Sequence, residues 1–284
     1  MFYNYIKNDL DIYYKTIHNC KIREILNYSL EGGKCIRGFI VKHIIETLTC
    51  KPTTIWQPVV CVELVHALSL IVDDLPCMDN DIIRRHKPST FIKFGERSAL
   101  LSTFYGMSHA LHILFDGLDS LNMSNENYIY FTKELINKWH ELIGTKLVVG
   151  QMMDLKENIK ELVNDNTIPT TINIIIYKTC SLFMFAFILG RLYSGIDLSL
   201  SINLEDYKSM GYYFGLMFQI MDDSNDIKTD DKDINIILNL GSKESYLLYL
   251  ESKLKLLNLL EKNLLLTSEF VKMINKIDDM LKLG

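Results

Sequence analysis

The chain has 284 residues, of which 48% are hydrophobic and 23% charged, and its formal net charge at pH 7 is −5. This length is enough for one large core, and an acidic chain without a basic stripe is not typical of a nucleic-acid-binding protein. The six cysteines form no CxxC pair, so we interpret them as reduced thiols of an intracellular protein.

Apolar residues recur at helical spacing over most of the chain, with few prolines or glycines between them. The pattern predicts helices over residues 3–30 (one or two), 39–48, 55–72, 94–114, 128–155, 171–193, 204–218 and 243–284. An N-cap at Ser89-Thr90 starts the helix that runs through 94–114. No repeat or low-complexity linker divides them, so we expect an all-α protein with a single domain over residues 1–284.

The N-terminal segment carries acidic residues and lacks the apolar stretch of a signal peptide. The apolar runs Leu68–Val72 and Leu182–Leu189 are too short to span a bilayer. We therefore expect a cytoplasmic protein with no transmembrane segment.

Gly32-Gly33 ends the N-terminal helices, and Lys34 and Arg37 flank the start of the next one. Backbone donors at a helix start favour anions, so these two cations are candidate phosphate ligands; the alternative is a helix-ending turn with two solvated cations. His66 lies on the following apolar helix, about two turns before Asp73, and is either a core residue or a further phosphate donor.

The first acidic cluster follows that apolar helix directly. Asp73 and Asp74 come at its end, and Asp79 follows two residues later than the one-turn spacing requires. Pro76 bends or breaks the helix, and a bend there would return Asp79 to the side of Asp73. Clustered carboxylates behind an apolar run indicate a metal site, with a purely structural cluster as the alternative.

A second acidic cluster ends another apolar helix, where Asp222 and Asp226 lie one turn apart and Asp223 lies between them. Two such clusters are far more specific than one. All-oxygen carboxylate sites suit Mg²⁺, which keeps several waters and bridges to substrate phosphates. We expect the two clusters to face each other and to clamp a diphosphate.

Two polar features occur within the long apolar helices. Lys178 needs an anionic partner or a path to solvent, and a diphosphate is one such partner. Gln151 and Asp154 end the preceding helix, where they either reach the site or bond to each other.

These motifs closely resemble those of the trans-isoprenyl diphosphate synthases. The matching strings are Tyr28–Lys34 with Arg37, His66–Asp81 with Arg84-Arg85, Lys87-Pro88 and Phe94–Glu96, Lys178-Thr179, and Phe218-Gln219 ahead of Asp222–Asp226. The resemblance covers most of the chain, with the motifs in the family's order. The two extra residues before Asp79 are similar to those of farnesyl and geranylgeranyl diphosphate synthases of bacteria and plastids.

The resemblance implies an isoprenoid synthase-type helical bundle around a deep central cavity, usually a homodimer, with three Mg²⁺ ions. It assigns the metal to Asp73, Asp79, Asp222 and Asp226, with Asp74 and Asp223 also catalytic. It assigns isopentenyl diphosphate to Lys34, Arg37, His66 and Arg85. It assigns the allylic diphosphate (dimethylallyl, geranyl or farnesyl) to Arg84, Lys178, Thr179, Gln219, Lys243 and Lys232, and counts Arg84 and Lys178 among the catalytic residues.

The resemblance also implies head-to-tail condensation of isopentenyl diphosphate with the allylic diphosphate. Residues four and five positions before Asp73, here Ser69 and Leu68, set the product length, and members that stop at fifteen carbons commonly have an aromatic there. Leu68 is smaller, so we predict geranylgeranyl diphosphate (C20), with Phe104 or Met107 as an alternative floor. The chain departs from the family at Cys35, Gly38 and Phe104, where Arg, Pro and Asp are common.

The alternatives are a farnesyl diphosphate (C15) synthase, a non-catalytic subunit of a heteromeric prenyl synthase, and a class I terpene cyclase. A non-catalytic partner typically loses Asp motifs, and a cyclase needs no isopentenyl site and carries an Asn/Ser/Glu set as its second motif. This chain keeps both Asp clusters.

Overall fold

The computed structural model describes residues 2–121, 123–155, 170–195, 204–227 and 235–282. Apart from one small hairpin, every regular element in these ranges is helical, so the all-α prediction is confirmed. The elements are α1 Tyr3–Thr16, α2 Cys20–Leu30, α3 Ile36–Thr49, α4 Gln57–Asp73, β1 Ile83–Arg84, β2 Lys87–Pro88, α5 Thr90–Phe94, α6 Glu96–Leu118, α7 Asn125–Lys138, the π-helical segment π1 Trp139–Leu147, α8 Val148–Asp154, α9 Thr170–Ile174, the π-helical segment π2 Ile175–Cys180, α10 Ser181–Tyr193, α11 Leu204–Asp226, α12 Ile236–Leu240, α13 Ser242–Lys262 and α14 Ser268–Met280.

The structure differs from the sequence prediction at local breaks. Gly95, with φ +84°, ends α5 before α6, and residues 263–267 separate α13 from α14. The short antiparallel hairpin and α12 were not predicted, because each contains too few residues to show a period. In the hairpin, Arg85 and His86 both have positive φ, as a tight turn between twisted strands requires.

The chain divides into two compact units: Met1–Tyr128 with Leu189–Ile196, and Ile129–Ile188 with Asp197–Gly284. In the first unit, α4 is the central helix and contacts α1, α2, α3 and α6. A Cβ added at Gly106 of α6 would lie 2.6 Å from a methyl of Leu68, and one at Gly117 would lie 3.0 Å from Gln57. These glycines permit α6 to approach α4 closely, and α4 is buried along most of its length.

In the second unit, α11 holds the same central place, with contacts to π2, α13, α14 and α12. Gly211 and Gly215 permit its close approach to Met184 and Cys180, and Gly150 of α8 lies against the backbone of Lys178. Each unit is therefore built on one buried helix, and each of these two helices ends in an acidic cluster.

The helical run Thr170–Tyr193 is long and apolar enough to cross a membrane. Leu182–Leu189, the apolar run identified in the sequence, is only a shorter part of it. The chain itself buries 72% of its most apolar window, as expected for a core helix. A membrane-spanning helix and a buried core helix can have the same length and composition. The absence of a membrane segment remains a prediction.

All six cysteines lie in the described ranges, and none of the six forms a disulfide.

Candidate active site

The first acidic cluster forms at the carboxyl end of α4. The chain turns at Leu75-Pro76, and the backbone N–H of Asp79 donates to the carbonyl of Asp73 at 2.9 Å. This turn brings Asp79 back to Asp73, as the position of Pro76 predicts. Asp73 is 7% exposed, whereas Asp79 lies at the surface.

Asp74 points to a different partner from Asp73, because adjacent residues on a helix lie about 100° apart. Its Oδ1 accepts hydrogen bonds from Arg84 Nε at 2.8 Å and Nη2 at 2.5 Å. Arg84 Nη2 also lies 2.8 Å from Asp81 Oδ2. Asp74 is 1% exposed, so the guanidinium compensates a buried carboxylate and fastens the hairpin to α4.

The predicted isopentenyl residues form a cationic group around His66 of α4. Burial, followed by the charges of Arg37, Arg85, Arg84 and Lys34, lowers the pKa of His66 well below 6.5. The imidazole is therefore neutral at pH 7, and it can donate one hydrogen bond without adding charge. A concentration of four cations in one unit is an arrangement suited to a multivalent anion.

Arg85 is held by the end of α2. Its Nη1 donates to the carbonyl of Ser29 at 2.7 Å and to that of Leu30 at 3.3 Å. A Cβ at Gly33 would lie 3.3 Å from the same nitrogen, so the glycine pair leaves room for the guanidinium. Arg85 thus satisfies carbonyls that the helix end leaves open.

The amino end of α3 is occupied by a carboxylate from α4, contrary to the expectation that its backbone donors are available to an anion. Glu63 Oε1 accepts the N–H of Gly38 at 2.7 Å, and the N–H of Arg37 also bonds to this carboxylate. Burial raises the pKa of Glu63, although these bonds and the charge of Arg37 oppose that shift. Anion binding by Lys34 and Arg37 therefore depends on their side chains.

The second acidic cluster lies at the carboxyl end of α11. Asp222 is partly buried and Asp226 is exposed, one turn apart, whereas Asp223 is only 4% exposed. Asp223 Oδ1 accepts from Gln219 Nε2 at 2.7 Å, and Oδ2 accepts from the backbone N–H of Ile236 at 2.8 Å. Asp223 therefore bonds to protein groups of its own unit.

Lys178 and Thr179 lie in π2, on the element that packs against α11. Lys178 forms an ion pair with Asp154 of α8, which supplies the anionic partner that a lysine in an apolar helix needs. Thr179 Oγ1 donates to Gln219 Oε1 at 2.7 Å. The structure thus brings together these three predicted residues, with Asp154 beside them.

The remaining predicted residues are placed less centrally. Leu68 is 1% exposed and packs on Gly106, Ser69 is partly exposed, and Phe104 is 68% exposed. Lys243 lies exposed on the first turn of α13. Lys232 lies outside the described residues. The roles assigned to these residues remain predictions.

The sequence profile of the polyprenyl synthetase family matches residues 19–239. The chain belongs to this family. It is 33% identical over 220 residues to geranylgeranyl pyrophosphate synthase 4 of Arabidopsis thaliana, a match that covers 77% of this chain and 56% of that protein. It is 34% identical over 266 residues to the farnesyl diphosphate synthase of Buchnera aphidicola, with 87% and 86% covered. The chain spans about half the length of the plant relatives that it matches.

The fold agrees with the same family. The crystal structure of an isoprenoid synthase family member from Thermotoga neapolitana has a TM-score of 0.76 and 26% identity, and the match covers 95% of this chain and 97% of that one. The helical fold predicted for the polyprenyl synthetase family is therefore confirmed.

Polyprenyl synthetases use a divalent metal, usually Mg²⁺. The residue types present suit such an ion: Asp73 and Asp79 are linked by a hydrogen bond between their backbones, and Asp222 and Asp226 lie one turn apart on α11. Within the ranges that the structure describes, no three His, Cys, Asp or Glu side chains are grouped closely enough to hold an ion. Paired carboxylates whose remaining positions go to water and phosphate oxygens are the coordination that Mg²⁺ prefers.

Three residues at the site were not assigned a role from the sequence. Glu63 and Asn235 carry no motif signal, since a buried polar residue is recognised only when its partner is known. Asp154 could have been found from the sequence, because Lys178 requires an anionic partner. The sequence left open whether Asp154 reaches the site or bonds to Gln151, and the structure pairs it with Lys178.

Proposed function

We propose that this polyprenyl synthetase catalyses head-to-tail condensation of isopentenyl diphosphate with an allylic diphosphate and releases geranylgeranyl diphosphate. The observation that carries the proposal is the group of four cations around neutral His66, on the helix that ends in Asp73. A diphosphate carries several negative charges, and a concentration of positive charge beside a neutral imidazole favours its binding. The names of the relatives, geranylgeranyl and farnesyl diphosphate synthases, support the same chemistry.

The chain's own residues would divide the work between the two substrates. Lys34, Arg37, His66 and Arg85 would hold isopentenyl diphosphate by its phosphates and leave its double bond free to react. Lys178, Thr179 and Gln219, with Arg84 and the lysines 232 and 243, would hold the allylic diphosphate. Asp73, Asp79, Asp222 and Asp226 would hold three Mg²⁺ ions, which neutralise the departing diphosphate.

The reaction then needs no nucleophilic side chain. The allylic C–O bond breaks with its electron pair on the diphosphate, and Lys178 and Arg84 stabilise the charge that develops there. The C3=C4 double bond of isopentenyl diphosphate attacks the allylic cation, and a C2 proton passes to the released diphosphate. The atoms balance without a protein base.

Product length would depend on the residues one turn before Asp73. Leu68 and Ser69 are both smaller than an aromatic side chain, which favours the C20 product over C15. Because Leu68 packs on Gly106, Leu68→Tyr would overpack the α4–α6 contact, and we expect this change to cost about 1–3 kcal/mol. Ser69→Phe avoids that contact, since Ser69 is partly exposed, and we expect it to shift the product toward farnesyl diphosphate.

The direct test is to incubate the purified protein with Mg²⁺, labelled isopentenyl diphosphate and dimethylallyl diphosphate, and to separate the products by chain length. We expect a C20 product that disappears when the metal is chelated. A dominant C15 product would establish the second candidate, a farnesyl diphosphate synthase. Absence of any product from the folded protein would overturn the proposal and favour a non-catalytic subunit or a cyclase.

The assembly and the location belong to the same proposal. We propose a cytoplasmic protein without a membrane-spanning segment; support comes from the burial of the Thr170–Tyr193 run within the chain and from the six cysteines, which form no disulfide. We also propose a homodimer, as the resemblance to the trans-isoprenyl diphosphate synthases implies. Light scattering of the purified protein tests the dimer, and fractionation of cells that express it tests the location.

A further inference from the structure

A chain of hydrogen bonds links π2, α11 and α12 within the second unit. Thr179 donates to the Gln219 oxygen, the Gln219 nitrogen donates to Asp223 Oδ1, and Asp223 Oδ2 accepts the N–H of Ile236. Because Gln219 accepts with its oxygen and donates with its nitrogen, only one orientation of its amide satisfies both bonds. The side chains of Thr179 and Gln219 are thereby tied to the first residue of α12.

The side chain of Asn235 is a second link between the end of α11 and the start of α12. It is 0% exposed, and its Nδ2 donates to the backbone carbonyl of Asp223 at 2.9 Å. Its Oδ1 caps α12 by accepting the N–H groups of Ile237 at 3.0 Å and Leu238 at 3.3 Å. One buried amide therefore joins the end of α11 to the start of α12, and it does so with three hydrogen bonds.

The start of α13 is attached to the same point. α12 leads through Gly241 into α13, whose first turn carries Lys243. Ser245 of that turn is fully buried, and its Oγ donates to the carbonyl of Ile236 at 3.4 Å. A displacement of Ile236 would therefore move the backbone that carries Lys243 as well as the partner of Asp223.

We propose that Asn235 and Asp223 form an anchor that positions the allylic-diphosphate residues of this protein. The anchor acts through Gln219 and Thr179 on one side and through the first turn of α13 on the other. Asp223 is then a positioning residue, unlike Asp222 next to it. The inference rests on the proposed function, because it concerns the substrate assigned to those residues.

The test compares Asn235→Ala and Asn235→Asp with Asn263→Ala. Asn235→Ala removes the three hydrogen bonds described above. Asn235→Asp keeps the acceptor that caps α12 and puts a carboxylate oxygen in place of the donor to the Asp223 carbonyl. Asn263 is the matched control, since its amide bonds Asp206 at the opposite end of α11 and the carbonyl of Leu259.

Two measurements are made on each variant. The first is steady-state kinetics, in which dimethylallyl diphosphate and isopentenyl diphosphate are varied separately. The second is calorimetric binding of farnesyl diphosphate with Mg²⁺ in the absence of isopentenyl diphosphate, which needs no turnover. We expect Asn235→Ala to raise the allylic KM and the farnesyl diphosphate Kd about tenfold and to leave the isopentenyl KM within about twofold, the size of effect given by misplaced ligand-binding groups.

We expect Asn235→Asp to raise the allylic KM and to lower the melting temperature, because its buried carboxylate would face the carbonyl oxygen of Asp223. We expect Asn263→Ala to change neither KM. An Asn235→Ala protein that loses stability with both KM values unchanged would show a structural cap only and overturn the anchor. Equal rises in both KM values would overturn it too. If Asn235→Ala does not fold, wild-type KM values in Asn235→Asp would overturn the anchor instead.

Failure of the proposed function gives a separate result. A wild-type protein that makes no prenyl product contradicts that function, while its binding of farnesyl diphosphate and the effect of the variants on this binding still test the anchor.

Discussion

The two acidic clusters share a sequence pattern, a pair of adjacent aspartates at the end of a buried helix, and differ in how the second aspartate is held. Asp74 is 1% exposed and bonds to the Arg84 guanidinium. Asp223 is 4% exposed and bonds to an amide and a backbone N–H. In both pairs the second carboxylate is an internal anchor, and the first lies toward a different side of the helix.

The two anchors differ in the charge of the groups that the second aspartate binds. At α4 the partner is a cation, so loss of Asp74 leaves a partly buried guanidinium without its main partner, although Asp81 still pairs with it. At α11 the two hydrogen bonds described for the Asp223 carboxylate come from neutral donors, an amide and a backbone N–H, so losing them leaves unsatisfied polar groups. The comparison teaches that one short motif can be stabilised by two kinds of interaction with unequal energetic consequences.

The largest effect should come from the first aspartate of each pair. We expect Asp73→Ala and Asp222→Ala each to lower kcat by about 10³-fold or more, because a lost metal ligand removes several kcal/mol of charge stabilisation. The measurement is product formation from labelled isopentenyl diphosphate at saturating Mg²⁺, with the melting temperature as a check on folding.

Asp119→Ala is the control for these variants, since Asp119 is an exposed carboxylate outside both clusters. We expect it to retain wild-type activity. Unchanged turnover in either Asp73→Ala or Asp222→Ala would break the parallel between the two clusters.

The second aspartates should differ in stability. We expect Asp74→Ala to lower the free energy of unfolding by about 3 kcal/mol, since it leaves a partly buried charge without its main partner. Asp223→Ala should cost about 1–2 kcal/mol, since the two hydrogen bonds described for its carboxylate come from neutral donors. Urea denaturation at constant m-value measures both. Equal losses would mean that the charge of Arg84 does not decide the difference.

The smallest predicted effect is a loss of folding stability as the pH falls, and it arises at His66, on the helix that ends in the first cluster. The pKa of folded His66 is lowered, so below about pH 6.5 the unfolded chain binds a proton that the folded chain does not, and stability falls as the pH falls. Between pH 7.5 and 5.5 we expect His66 to account for a loss of at most about 1.4 kcal/mol. Denaturation of His66→Gln at both pH values should show a smaller loss than the wild type.

His18→Gln is the control for this prediction, because His18 is exposed. It should retain the full pH dependence of the wild type. If His66→Gln and His18→Gln behave alike, the cationic surroundings of His66 do not control its protonation.

The helices were predictable where their apolar period was long, as for α4 and α11, and the breaks were predictable only where a residue forces them. Pro76 indicated the turn that returns Asp79 to Asp73. Gly95 ends α5 before α6, although the sequence pattern ran on as a single helix. The π-helical segments carry no sequence signal, since the apolar pattern of π2 continues into α10.

In the candidate site, too, the sequence predicted some features and only the structure shows the others. The motif residues Lys178, Thr179 and Gln219 were identified from the sequence, and their partners were not. Whether Lys178 pairs with Asp154 or with a substrate phosphate depends on distances that no spacing rule provides. The same holds for Arg85, which was assigned to a substrate and is held by the carbonyls of Ser29 and Leu30.

The sequence by itself determined that this protein is helical, that it belongs with the polyprenyl synthetases, and that its acidic pairs end two buried helices. These properties follow from helical periodicity and from residue types at short spacing, which are local. Only the tertiary structure decided which carboxylate of each pair is an anchor and that Glu63 caps α3. Those outcomes depend on contacts between residues far apart in the chain, and burial there requires every polar group to find a partner.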